Sequence, residues 1–141
     1  MTETIDTLVI GAGTVGLAVA RELALAGREV IVAEAEEMSG TGISARNSGV
    51  IHAGLYYPKD SLKARLCVEG RALLYRFCEE HGVVHQRTGK LVVAADAGEA
   101  EKLQAIKAAA RLNGVDDTVV LDRAAVATRE PVLDVHSALW S

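Results

Sequence analysis

Gly11, Gly13 and Gly16 stand at the intervals that let a chain wrap a diphosphate, and an acid follows at position 34. The glycines come after an apolar run, Thr7-Leu8-Val9-Ile10, and open an alanine-rich helical stretch that reaches Gly27. A second apolar run, Val30-Ile31-Val32-Ala33, then ends on Glu34 and Ala35. In such an arrangement Gly11 permits a tight strand-to-helix turn. Gly13 lets the backbone approach a pyrophosphate, and Gly16 lets the helix lie close to the strand. The N–H groups of Thr14, Val15 and Gly16 would open the helix, where its positive end favours a phosphate. Glu34 lies 23 positions after Gly11, near the roughly 20 expected of an acid that binds ribose hydroxyls. Its charge argues against a 2′-phosphorylated ribose, because Arg28 precedes the second strand and is poorly placed to compensate. The ligand expected is therefore FAD or NAD and not NADP.

The elements that must carry these residues follow from the pattern. Residues 5–34 read as a βαβ unit. Residues 35–60 read as a long loop holding Gly40, Gly42, Gly49 and Gly54 among short polar side chains, and loops of this length in compact domains are functional or disordered. A helix is expected from Asp60-Ser61 to Gly82, with Leu62, Leu66, Leu73 and Phe77 as its buried stripe. Val83–Arg87 and Lys90–Ala95 read as a hairpin around Thr88-Gly89. Asp96 and Glu99 form a capping box for a further helix ending at Asn113-Gly114. A short strand at Val119–Leu121 and a helical turn from Asp122 towards Glu130 complete the series. His136 to Ser141 carry no signature.

Length and composition bound the reading. The 141 residues suffice for one ordinary domain; half are hydrophobic, aromatics are 4%, and the net charge is −4. No basic block suggests nucleic acid. Glu3 and Asp6 precede the first apolar stretch where a secretory leader would carry basic residues, and Arg21-Glu22 interrupts it. The expectation is a cytoplasmic protein, with peripheral contact at the inner membrane left open. Cys67 and Cys78 fall eleven positions apart in one helix, about 16 Å along its axis, too far for a disulfide. His81, His85 and His136 have no ligand spacing with cysteine or acid, so no metal site is expected.

From Ser44 to Ala95 the chain resembles the L-2-hydroxyglutarate oxidase/dehydrogenase family, within the D-amino-acid-oxidase-like FAD oxidoreductases. The resemblance is carried by Arg46-Asn47-Ser48-Gly49-Val50-Ile51-His52-Ala53-Gly54-Leu55-Tyr56-Tyr57, by Ser61-Leu62-Lys63-Ala64-Arg65-Leu66-Cys67-Val68-Glu69-Gly70, and by Thr88-Gly89-Lys90-Leu91-Val92-Val93-Ala94. It covers essentially the whole chain and fades after Val115. It implies an α/β protein with a Rossmann-like FAD-binding fold whose sheet is incomplete here, followed by part of an α+β substrate domain. Residues 1–83 would belong to the FAD-binding domain and residues 84–141 would begin the substrate domain. The chain would be a fragment, inactive by itself.

The resemblance further implies oxidation of a 2-hydroxy acid, foremost L-2-hydroxyglutarate to 2-oxoglutarate, with oxygen or a quinone as electron acceptor. Ser44, Arg46, Asn47, Ser48 and Gly49 would join Gly11, Gly13, Thr14, Val15, Gly16, Glu34 and Ala35 as FAD contacts. His52 is the first candidate for the base that takes the hydroxyl proton. The alternatives are that His52 orients the flavin or satisfies the backbone, or that it carries a covalent flavin. Tyr56 and Tyr57 are candidates for substrate contact or for packing; tyrosine stands there in place of an arginine of glycerol-phosphate-type relatives, which weakens a phosphate substrate. An amino-acid oxidase, a glycerol-3-phosphate dehydrogenase-like enzyme, a non-catalytic nucleotide-binding module and an NAD-dependent dehydrogenase are the competing readings, the last disfavoured because the long loop after Glu34 serves a flavin better.

Overall fold

A computed structural model describes residues 4–141. The chain divides into two compact units, Met1–Val50 and Ile51–Ser141. This partition is separate from the expected division at residues 83 and 84.

The first unit is the βαβ device. Strand β1 (Thr7–Ile10) pairs in parallel with β2 (Val30–Ala33), Thr7 opposite Val30 and Ile10 opposite Ala33. Helix α1 (Thr14–Leu25) connects them. Arg28 donates from Nε and Nη2 to the two carboxylate oxygens of Asp6 at 2.6 and 2.7 Å, tying the start of β2 to the start of β1. Its guanidinium is thus committed away from Glu34. The sheet has two strands, and Leu8, Ile10 and Ile31 remain exposed on it. A parallel sheet is ordinarily covered on both faces, so the incomplete sheet expected from a single βαβ unit is what the chain forms. After β2 the loop makes only a short 3-10 turn, Ile43–Ala45.

In the second unit a loop from Ile51 leads to α2 (Leu62–His81), then β3 (Leu91–Ala94), α3 (Ala97–Leu112), β4 (Val119–Asp122), α4 (Arg123–Arg129) and β5 (Ser137–Trp140). The sheet order is β3-β5-β4, with β5 antiparallel to both neighbours and Ser137 opposite Ala94 and Asp122. Ala94, Leu103 and Leu139 form one core cluster; Leu121, Val126 and Ala138 form a second. Helix ends follow their caps. Ser61 Oγ accepts the Ala64 N–H, and Gly82 closes α2 in the left-handed conformation. Asp96 Oδ1 accepts the Glu99 N–H at 2.9 Å, while Glu99 Oε2 reaches back to the Ala95 N–H.

Three expectations fail here. Residues 83–87 form no strand, and Thr88-Gly89 turns no hairpin. Val84 is 95% exposed, and the partner of β3 is the distant β5. That strand went unread because Ser-Ala-Leu-Trp has neither alternation nor β-branched residues, and a central buried strand needs neither. The stripe of α2 is also reversed. Leu62, Leu66, Leu73 and Phe77 are exposed, whereas Ala64 and Cys78 are buried and Val68 packs on the core. The helix is apolar on two opposite sides, and periodicity alone does not say which is covered. Cys67 and Cys78 are free thiols, Cys78 buried and Cys67 partly so.

Gly89 shows how tightly the sheet end is built. Its φ is +70°, and a Cβ there would overlap the Trp140 ring. Gly89→Ala is expected to destabilise the intact protein by on the order of 2–4 kcal/mol, combining backbone strain with overpacking. The shift of the urea midpoint measures it.

Candidate functional site

The glycine loop and Glu34 meet as their spacing predicts. Gly11 turns the chain with φ +100°, leaving open space on its Cβ side, and its N–H donates to the Ala33 carbonyl at 2.7 Å. A Cβ on Gly16 would overlap the Gly11 carbonyl oxygen, so only glycine lets α1 lie this close to the turn. Gly13 is the N-cap of α1 and offers no capping side chain. The first N–H groups of a helix have no intrahelical acceptor. That of Thr14 is met by Ser44 Oγ at 3.0 Å; those of Val15 and Gly16 have no acceptor among the described residues. Ser44 accepts through its oxygen and keeps its own hydrogen to donate.

Glu34 turns back onto the loop. Its Oε2 accepts the Ala12 N–H at 2.6 Å, and its Oε1 accepts those of Ala35 and Glu36 at 2.7 and 3.1 Å. These bonds, Ala12 first, then Glu36 and Ala35, hold the carboxyl below its ordinary value of 4.5. A carboxylate has about four acceptor positions, which leaves one for a ribose hydroxyl. A depressed carboxyl pKa contributes stability that is present above the unfolded value and lost as pH falls through the folded one. Melting temperatures of the intact protein and of Glu34→Gln are therefore expected to differ at pH 7 and to converge as pH drops below 4.5. A gap that stays constant contradicts this.

The loop after β2 is fixed by its own backbone. Gly40 N–H reaches the Ala12 carbonyl at 2.9 Å, which the sequence reading missed. Asn47 Nδ2 donates to the Ser44 carbonyl, and its Oδ1 accepts the Gly49 N–H, so Asn47 shapes the turn. Arg46 and Ser48 are exposed, and Arg46 forms no ion pair with a described residue. The residues of this set in the first unit form a small cradle of N–H groups, hydroxyls and one carboxylate. Its donors suit a diphosphate and its acid suits a ribose, which meets the requirements of an adenine dinucleotide.

His52, Tyr56 and Tyr57 form a separate cluster in the second unit. His52 Nδ1 accepts the Gly54 N–H at 3.0 Å, and Nε2 lies 3.1 Å from Tyr57 Oη. The Tyr57 ring stacks on the imidazole at 5.0 Å, and Tyr56 meets it edge-on at 6.4 Å. Partial burial, then Lys90 and Lys63, hold His52 below its ordinary 6.5, so the ring is neutral at pH 7. With Nδ1 accepting, the neutral tautomer carries its proton on Nε2 and donates it to Tyr57. Neither nitrogen then has a free lone pair.

The loop bearing these rings is anchored by Leu55, 1% exposed, against Ala110 and Val115. Asn113, expected only to end a helix, donates from Nδ2 to the carbonyls of Gly54 at 3.3 Å and Tyr57 at 2.8 Å. Gly54 has φ +86°, and a Cβ would stand 2.8 Å from Val68 Cγ2. No spacing rule links Asn113, Lys63 or Lys90 to His52; only the fold brings them together. His81, His85 and His136 bond locally to Phe77, Val83 and Ser137. No group of three or more His, Cys, Asp or Glu converges among the described residues. No helix there is long and apolar enough to cross a membrane.

The family described as FAD dependent oxidoreductase (DAO) matches residues 6–141. A mitochondrial L-2-hydroxyglutarate dehydrogenase of Arabidopsis thaliana is 48% identical over 139 residues, covering 99% of this chain and 29% of that protein. The Homo sapiens protein of the same name is 38% identical over 132 residues, covering 92% of the chain and 28% of its own length. The chain thus spans under a third of these relatives. Among solved structures, an L-alpha-glycerophosphate oxidase from Mycoplasma pneumoniae with FAD bound matches at TM-score 0.87 and 26% identity, over 99% of this chain and 38% of that one. An L-proline dehydrogenase from P. horikoshii matches at TM-score 0.82 and 28% identity, over 100% and 37%. The cytoplasmic expectation is corrected by these comparisons, because the relatives are named mitochondrial. Acidic residues ahead of β1 carry no information about which compartment a folded domain works in.

Proposed function

Since the chain belongs to the DAO family of FAD-dependent oxidoreductases, we propose that it forms the amino-terminal part of an enzyme that oxidises L-2-hydroxyglutarate to 2-oxoglutarate. The observation that carries the cofactor side is the Glu34 carboxylate 2.6 Å from the Ala12 N–H, beside the two acceptorless N–H groups of Val15 and Gly16. In this reading those N–H groups and the Ser44 hydroxyl hold the diphosphate, and Glu34 holds the adenosine ribose. Gly11 and Gly13 keep the approach clear, and Ala35 orients Glu34. Asn47 and Gly49 shape the following loop, with Arg46 and Ser48 as its exposed polar groups. FAD, when bound, supplies the acceptor for the hydrogen on C2 of the substrate. Residues 1–83 are proposed as part of the FAD-binding domain and residues 84–141 as the start of the substrate domain.

His52 and Tyr57 are proposed to serve the substrate. The bonds of His52 favour an orienting role: Gly54 fixes the ring, and the Nε2 proton points the Tyr57 hydroxyl hydrogen outward. The base reading is second. It is supported by the neutrality of His52, but it needs the ring to release the Gly54 N–H so that the Nδ1 lone pair can take the substrate's hydroxyl proton. Oxygen or a quinone is proposed as the final electron acceptor.

The reading is tested by adding substrates anaerobically to the intact protein that carries residues 1–141. L-2-Hydroxyglutarate is expected to bleach its flavin and yield 2-oxoglutarate. Bleaching by glycine, L-proline or glycerol 3-phosphate alone transfers the chain to another substrate class, and a flavin that none of them reduces ends the proposal.

A further inference from the structure

Lys63 and Lys90 are brought to the His52 cluster from two separate elements. Lys63 is the second residue of α2, and its Nζ lies 4.5 Å from the centroid of the Tyr57 ring. Lys90 immediately precedes β3, and its Nζ lies 4.9 Å from the centroid of the Tyr56 ring. Each ammonium is thus held against an aromatic face, and both lysines are exposed. Several bases of the chain have acids beside them, such as Arg28 with Asp6, Arg71 with Asp117, Arg123 with Asp134 and Lys59 with Asp60. Neither Lys63 nor Lys90 pairs with a carboxylate among the described residues. Lys63 also stands in the first turn of α2, where the helix dipole disfavours a cation. Its position therefore does nothing for the helix. Both lysines act on the same imidazole, depressing its proton affinity, so two uncompensated charges converge on one small aromatic surface. An anion is the partner such a surface lacks.

Resting on the reading above, we propose that Lys63 and Lys90, with the outward Tyr57 hydroxyl, bind a carboxylate of the substrate and select a dicarboxylate over a monocarboxylate. Tyr57 supplies one directional donor and the lysines supply charge at two points. The site would bind glutarate, which has two carboxylates and no hydroxyl to oxidise, more tightly than butyrate.

The test is calorimetric titration of the intact flavoprotein with glutarate and with butyrate. The unaltered protein is expected to prefer glutarate by about tenfold or more, the scale of one charged hydrogen bond. Lys63→Met and Lys90→Met should each reduce that preference, the double variant should remove it, and Lys→Arg replacements should retain most of it. Lys59→Met, outside the cluster, should leave it unchanged. Absence of any glutarate preference in the unaltered protein, or a preference indifferent to the double variant, overturns the proposal. Because the readout is binding, the outcome is independent of turnover. A preference that depends on the lysines, in a protein whose flavin no 2-hydroxy acid reduces, keeps the carboxylate site and removes the proposed substrate.

Discussion

Gly16→Ala is expected to cost the intact protein its FAD, with the bound fraction after gel filtration falling from near full to near zero. The reason is local. A Cβ at Gly16 would collide with the carbonyl oxygen of Gly11, and backbone cannot yield as the tip of a flexible side chain does. Either α1 withdraws from β1 or the Gly11 turn opens. Both movements displace the N–H groups of Val15 and Gly16 and the Ala12 N–H that Glu34 holds. Loss of two charge-assisted bonds corresponds to about 10²-fold or more in affinity. Gly13→Ala should be milder, because its Cβ would stand 3.2 Å from Ser44 Oγ, a side chain able to rotate. A circular-dichroism spectrum separates lost binding from lost folding. Retention of FAD by Gly16→Ala at the unaltered level would contradict the assignment of the loop.

His52→Ala is expected to lower kcat/KM for the 2-hydroxy acid by about 10²-fold, the scale of a misplaced reacting group. What distinguishes its roles is His52→Asn. An asparagine can accept the Gly54 N–H through its oxygen and donate to Tyr57 through its nitrogen, but it cannot take a proton. If His52 orients Tyr57, His52→Asn recovers activity to within about tenfold of the unaltered enzyme, less than one strong interaction. If it is the base, His52→Asn stays as poor as His52→Ala, a loss of about 10²–10⁴-fold. The pH profile adds a check. The folded imidazole protonates below its ordinary 6.5, so activity should hold as pH falls through that value and decline only below it. A decline centred above 6.5 would mean that another group controls the reaction.

The first unit was legible because its chemistry is local. The strand, turn, helix and acid follow one another within 34 residues, and Gly11 and Gly16 are demanded by the backbone of the turn. The cap at Asp96, and the one offered at Asp60-Ser61 that Ser61 supplies, were readable for the same reason, each bonding three residues ahead; Asp122 caps α4 in the same way. The second unit was less open. Strand β5 joins β3 across more than forty residues, and four small or apolar residues at a sheet centre leave no periodic trace. The face of α2 was misread because both sides are apolar. At the His52 cluster, the resemblance supplied the loop residues, but Asn113, Lys63 and Lys90 reach it only through the packing of α2, α3 and β3.

The central claim is that the βαβ turn and Glu34 hold FAD, and titration of the deflavinated intact protein with FAD, NAD and NADP tests it most directly. Tight, saturable binding of FAD, weakened in Glu34→Gln, with NADP rejected, is the predicted result. Preference for NAD or NADP over FAD, or FAD binding indifferent to Glu34, would contradict it.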